Sequence, residues 1–192
     1  QSAKPKKQSG EVRMVFLSRF VPKKNFKWLI EQLGSNIKGK LTMHVHGPLE
    51  DAEYWNECQW IIQNLPPNIE VESFGPLPHE DAVKTMFEYH FFLLPTLGEN
   101  FGHVFIEALA AGCPLIVSDR TPWLDLAVKG IGWDISLEST QKWIETLNQC
   151  IDMDGETYSR MSTAAREYAQ NWLADPAIEE QTHAVLNESL GR

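Results

Sequence analysis

Residues 91–119 read FFLLPTLGENFGHVFIEALAAGCPLIVSD, and this stretch decides the fold. Phe91 to Leu94 is a short apolar run of strand length, broken by Pro95 and followed by a glycine-bearing loop, TLGENFG. From Phe101 the pattern changes to helical: Val104, Ile106, Leu109 and Ala110 are apolar, and Gly112 stands as C-cap before Pro114. Leu115 to Val117 then reads as the next strand. The unit is strand, loop, helix, strand, and in open parallel sheets ligands bind where loops leave the carboxyl ends of the strands. Two carboxylates in it need an explanation. Glu99 precedes the helix, where a negative charge suits the positive N-terminus whether or not it also meets a ligand. Glu107 interrupts the apolar face beside Ile106, and a buried carboxylate needs a partner or takes up a proton. About two helical turns separate the two acids, so they can face one side of a crevice and accept hydrogen bonds from a polyhydroxylated ligand. A cap plus a partnered surface glutamate accounts for the same residues equally well.

Outward from this unit, strands and helices alternate. Residues 1–10, rich in Lys, Ser, Pro and Gly, read as a flexible linker or lead-in, with Lys4, Lys6 and Lys7 in solvent. Val12 to Ser18 is the first strand and Asn25 to Leu33 the first helix, with Asn25 a candidate N-cap. Between them Arg19, Lys23 and Lys24 gather at a strand's carboxyl end, where they are either a solvated turn or an anion site. Neither G-x-G-x-x-G nor a Walker A pattern accompanies them, so side chains would have to hold any phosphate. Leu41 to His46 alternates as a strand. Asp51 to Leu65 reads as an amphipathic helix whose Trp55 and Trp60 face the core. Ile69 to Ser73 is a strand, followed by a helix from about Glu80 to Tyr89. A short helix is expected over Thr121 to Val128, a last strand over Trp133 to Ser136, and three helical segments from Thr140 to Leu190, broken near Asp154–Gly155 and again at Asp175–Pro176. This alternation predicts an α/β fold: a Rossmann-like, doubly wound parallel sheet of about six strands, with helices on both faces and further helices at the C-terminus. Residues 11–192 form the one domain.

Composition agrees with a globular domain of ordinary size: 192 residues, 43% hydrophobic and 22% charged. No apolar run reaches the roughly 20 residues that span a bilayer. Cys58, Cys113 and Cys150 are odd in number and far apart, which argues against a disulfide framework or a zinc knuckle and suggests a reducing, cytoplasmic setting. His44, His46 and His79 lack a metal-ligand spacing and are assigned structural or surface roles. The net charge is −9, yet ten of the 17 Lys and Arg lie in the first 40 residues, against two acids, Glu11 and Glu31. Such an acidic chain is a poor nucleic-acid binder by its overall field, while a local basic patch can still hold a small anion.

Two segments carry a family resemblance: SRFVPKKNF (Ser18 to Phe26), and ENFGHVFIE (Glu99 to Glu107) within GENFGHVFIEALAAGCPLIVSD. Together they resemble the C-terminal, nucleotide-sugar-binding half of the GT-B-fold, group 1 retaining glycosyltransferases, over nearly everything from Val12 onward. The resemblance implies that Arg19 and Lys24 contact the donor diphosphate, that Glu99 contacts the transferred sugar, and that Glu107 holds the ribose hydroxyls. It makes Glu99, Arg19 and Lys24 the expected catalytic set. It also brings the loop of Gly98, Glu99, Asn100, Phe101 and Gly102 against the donor. The donor would be a nucleotide diphosphate sugar, passed with retention to an acceptor hydroxyl in polysaccharide or glycolipid synthesis. No cofactor and no metal is expected, since no Asp-rich metal motif adjoins the loop. The partner is the absent N-terminal acceptor domain of the same enzyme, through which any contact with the inner face of the membrane would come; alone, this half is expected to be inactive. Two other readings stay open: a sugar-nucleotide epimerase or hydrolase on the same fold, and a non-catalytic nucleotide-sugar-binding module.

Overall fold

The computed structural model describes residues 4–34 and 36–175. Six strands form one sheet: β1 (Glu11–Leu17), β2 (Lys40–His46), β3 (Ile69–Ser73), β4 (Phe91–Leu94), β5 (Leu115–Ser118) and β6 (Gly132–Ile135). Every pairing is parallel, in the order β3-β2-β1-β4-β5-β6. The chain therefore winds outward one way through β3, returns to the centre and winds out the other way. Its switch point lies between β1 and β4, the place where such sheets open a crevice at their carboxyl edge. The expected fold class is the one observed.

The helices are α1 (Phe26–Gln32), α2 (Ala52–Gln63), α3 (Ala82–Met86), α4 (His103–Ala110), α5 (Thr140–Asp152) and α6 (Gly155–Leu173). Contacts sort them into two sets: α1 packs on α2 and meets α5 through Trp28 and Trp143, while α4 packs on α3 and α6. Central strands covered on both sides must be apolar throughout, and the four residues of β4 are all fully buried. Phe16, Phe20, Phe26 and Trp55 form an aromatic cluster, with ring centroids 4.6–6.3 Å apart. Among the described residues no helix is long and apolar enough to cross a membrane.

Four expectations are corrected. Trp55 is core but Trp60 is 69% exposed; five residues turn a helix through about 140° net, so the two cannot share a face. Residues 121–128 form bends and turns instead of a helix, because the Asp134 carboxylate accepts the Asp125 and Leu126 amides that a helix would have used. Asn25 does occupy the N-cap position of α1, but at φ 59° its side chain makes no cap bond. The lead-in is docked rather than solvated at two of its lysines. Lys7 is buried and donates to the carbonyls of Ile151 and Met153 at the end of α5, and Lys4 donates to that of Ala111 at the end of α4. Both ammonium groups sit where helix C-termini present unsatisfied carbonyls and partial negative charge. The break at Asp154–Gly155 is observed; the third tail helix and the break at Asp175–Pro176 fall outside the described residues, apart from Asp175 itself.

Candidate functional site

The loops leaving β1 and β4 are tied to each other by main-chain bonds. The Leu97 amide donates to the Lys23 carbonyl (2.8 Å), and the buried Thr96 hydroxyl lies 3.2 Å from the same oxygen and 3.0 Å from that of Gly98. Behind them Ser118 Oγ donates to the Thr96 carbonyl. This lacing fixes a single 3-10 turn, Pro22–Lys24, against the glycine loop, and places Lys24 Nζ 2.5 Å from Glu99 Oε2. Their side chains are 10% and 20% exposed. The two residues are 75 positions apart in sequence and form one ion pair at the switch point.

Arg19 lies further along the same edge, more than half exposed, with Nη1 3.2 Å from Glu50 Oε2 beyond β2. Glu107 is in the second turn of α4, where its Oε1 lies 3.2 Å from His79 Nδ1 in the loop that leaves β3. The candidate acids and cations thus occur as three acid–base pairs along the carboxyl edge: Arg19–Glu50, Lys24–Glu99 and His79–Glu107. Lys24 and Glu99 are brought together; Arg19 and Glu107 are each engaged elsewhere. Glu107 instead borders a depression of about 300 Å³ shared with His79, His103 and Trp172.

The glycine loop is built around α4. Gly102 is the N-cap residue, with φ 72°, and a Cβ there would come within 2.4 Å of the Phe105 ring and 3.2 Å of Glu99 Cγ. Only glycine fits. Gly98 donates its N–H to Thr96 Oγ1, and the exposed Asn100 donates its amide to Glu99 Oε1. Phe101 is a structural anchor, since its ring meets Trp172 of α6 and its carbonyl accepts from Trp123 Nε1 at 2.8 Å. The first helical turn leaves free N–H groups beside Glu99, as an anion site requires.

Sequence reasoning missed the partners Glu50 and His79 and the buried Thr96. Only the strand-end positions of Glu50 and His79 hint at them, since cross-loop pairing leaves no periodic trace. Of the other histidines, His44 is half-buried with Nδ1 2.8 Å from the Tyr89 hydroxyl, and His46 is buried with its ring 5.3 Å from that of Phe74.

Burial pushes the Glu107 carboxyl above its ordinary value, against the opposing pull of His79 and His103. A carboxyl raised in the folded state favours folding most below its unfolded value, and that contribution is lost as pH rises through the raised one. Glu107→Gln is therefore expected to raise the melting temperature by about 1–3 °C at pH 7, with the gain vanishing below about pH 4. Thermal melts across that range check it, and an equal shift at every pH would contradict it.

A family model described as Glycosyl transferases group 1 matches residues 1–168. Among curated proteins, the D-inositol 3-phosphate glycosyltransferase of Corynebacterium diphtheriae is 31% identical over 111 residues, which is 57% of this chain and 26% of that protein. Among solved structures, Anabaena Alr3699/HepE in complex with UDP and glucose superposes with a TM-score of 0.72 at 20% identity, over 93% of this chain and 49% of that one. The C-terminal domain of a glycosyl transferase group 1 family protein (LpcC) from Francisella tularensis superposes with a TM-score of 0.68 at 16% identity, over 85% and 87%. The chain spans about a quarter of the curated relative and about half of the Anabaena protein.

Proposed function

The chain belongs to the group 1 glycosyl transferases, and from that premise we propose that it is the donor-binding half of a retaining enzyme. That enzyme transfers a sugar from a nucleotide diphosphate sugar to an acceptor hydroxyl, in polysaccharide or glycolipid synthesis. The observation that carries this reading is the Lys24–Glu99 pair at the β1/β4 switch point, with the N-terminus of α4 beside it. Negative charge accumulates on the diphosphate as the bond from sugar to phosphate breaks. Groups held in place beforehand lower that barrier more than groups that must reorganise. Lys24 is held by Glu99; Arg19, on the rim, exchanges Glu50 for phosphate when the donor enters. Glu107 accepts from the ribose hydroxyls, and Glu99 contacts the sugar. The Anabaena relative was solved with UDP and glucose, which makes a uridine donor the first to test. An N-terminal acceptor domain would close the crevice, so this half alone is expected to bind donor without turnover.

Calorimetry of the chain against UDP, GDP and ADP tests the reading. One nucleoside diphosphate should bind with a dissociation constant of about 1 mM or tighter, unchanged by EDTA, because the cationic side chains replace a divalent metal. Glu107→Gln should weaken the free diphosphate, whereas Glu99→Gln should weaken the sugar-bearing donor more than the free diphosphate. Binding of none of the three would overturn the donor assignment, and loss of binding in EDTA would overturn the metal-free mechanism.

A further inference from the structure

A second basic cluster lies at the opposite, amino edge of the sheet, between the docked lead-in and the first turns of α6. Here a cavity of about 370 Å³ is lined by Lys4, Lys6, Tyr158, Ser159, Ser162 and Arg166, with no carboxylate on its wall. Lys7 borders it too, but is turned inward onto three carbonyls. Lys4 is tethered to the Ala111 carbonyl. Lys6 is exposed and Arg166 half-buried, and neither has an ion pair or hydrogen bond among the described residues. A Cβ built on Gly112 would lie 2.7 Å from Arg166 Nη1, which places that guanidinium over the end of α4, beside the Ser162 hydroxyl. Ser162 Oγ donates to the Gly112 carbonyl at 2.7 Å.

A half-buried guanidinium without a carboxylate is an unusual expense in an acidic protein, since arginine is seldom buried unpaired. Among the described residues that line the cavity none carries a carboxylate, and Lys4 adds positive charge. Burial holds the Lys4 ammonium below its ordinary value, against the opposing pull of Cys113, and Arg166 lowers it a little further by repulsion. An entering dianion would offset both through its attraction for the cations. The planar fork of arginine matches two oxygens of a phosphate, two lysines supply point charges, and the Ser159 hydroxyl stands at the rim. We infer that this cavity binds the phosphate group of a small phosphate ester, at a site separate from the donor crevice and distant from it across the sheet. The inference does not depend on the donor assignment, because Arg19, Lys24, Glu99 and Glu107 all lie at the other edge.

Calorimetry with inorganic phosphate and with glycerol 1-phosphate, in a buffer free of other polyvalent anions, tests it. Both probes should bind with a dissociation constant of about 1 mM, the ester at least as tightly. Arg166→Gln should weaken both about tenfold, Lys6→Gln by a smaller factor, and Ser159→Glu should abolish binding. Ser159 and Lys6 are exposed, so those two variants fold even if Arg166→Gln does not. Lys24→Ala, at the other edge, should leave phosphate binding as it is. The inference is overturned if neither probe binds at up to about 10 mM, if Lys6→Gln and Ser159→Glu bind like the parent chain, or if Lys24→Ala removes the binding.

Discussion

Lys24→Ala is expected to weaken UDP binding about thirtyfold and to lower the melting temperature by about 5 °C. The first effect is the loss of one charge-assisted contact to phosphate, worth about 1.5–3 kcal/mol. The second arises because Lys24 is not the exposed turn lysine that its sequence context suggests; it is 8% exposed, and its ammonium is the partner of Glu99. Removing one member of a shielded pair leaves the other charge uncompensated. The cost falls between the ~0.2–1 kcal/mol of an exposed pair and the ~3–5 kcal/mol of a buried one. About 2 kcal/mol in a domain of this size corresponds to the stated shift in melting temperature. The two effects separate in the double variant. Lys24→Ala with Glu99→Gln removes the orphaned carboxylate, so most of the melting temperature should return while UDP affinity stays low. If affinity returned together with stability, Lys24 would be a prop for the loop and not a ligand of the diphosphate.

What could be read from the sequence follows from how local each feature is. The β4–loop–α4–β5 unit is legible because its signals are contiguous: an apolar run of strand length, Pro95, the glycines, a helical apolar face and Gly112 at its end. The parallel order follows, since strands alternating with helices have few other ways to bury both sheet faces. The failures involve partners distant in the chain. Residues 121–128 look helical until Asp134, which follows Gly132 by two positions on β6, takes their amides. Lys4 and Lys7 look like a solvated tail because the carbonyls they cap belong to helices more than 100 residues away. In the candidate site, Lys24 and Glu99 each stand out in their own motif, and the crevice rule for parallel sheets predicts that they meet. That Arg19 pairs with Glu50, and that Glu107 lies against His79, depends on loop conformation between strands, which leaves no periodicity to read. The pairing has a functional sense under the proposed reading: a site for a charged donor keeps its charges matched while it is empty, and exchanges partners when the donor arrives.

Gly47→Ala should be the more damaging change, although it alters no charged group and adds one methyl. Gly47 directly follows β2 with φ 153°, and a Cβ there would stand 1.8 Å from the carbonyl oxygen of Ser18 and 2.7 Å from its carbon. Both are backbone atoms, so no side chain can swing aside to make room. The backbone there is held from three directions: Ser18 N–H donates to His46 (3.0 Å), Gly47 N–H to Gly75 (2.9 Å), and Phe20 N–H to Pro48 (3.1 Å). Relieving the clash needs a shift of more than about an ångström, to approach the roughly 3.5 Å of an ordinary contact, and that breaks the first and last of these bonds. Lost hydrogen bonds of about 1 kcal/mol each, added to the backbone strain, predict a loss above about 3 kcal/mol and a fall of more than about 8 °C in melting temperature. Gly130→Ala is the control. Gly130 also has positive φ, 69°, but a Cβ there meets nothing within 4 Å, so only the left-handed penalty of about 1–2 kcal/mol applies. The same displacement carries Arg19 away from the Glu50 side of the crevice, so folded Gly47→Ala protein should also bind UDP more weakly, while Gly130→Ala should bind it normally. Equal melting temperatures for the two variants would show that the β1–β2 exit yields to the methyl group, and that its close packing does not position Arg19.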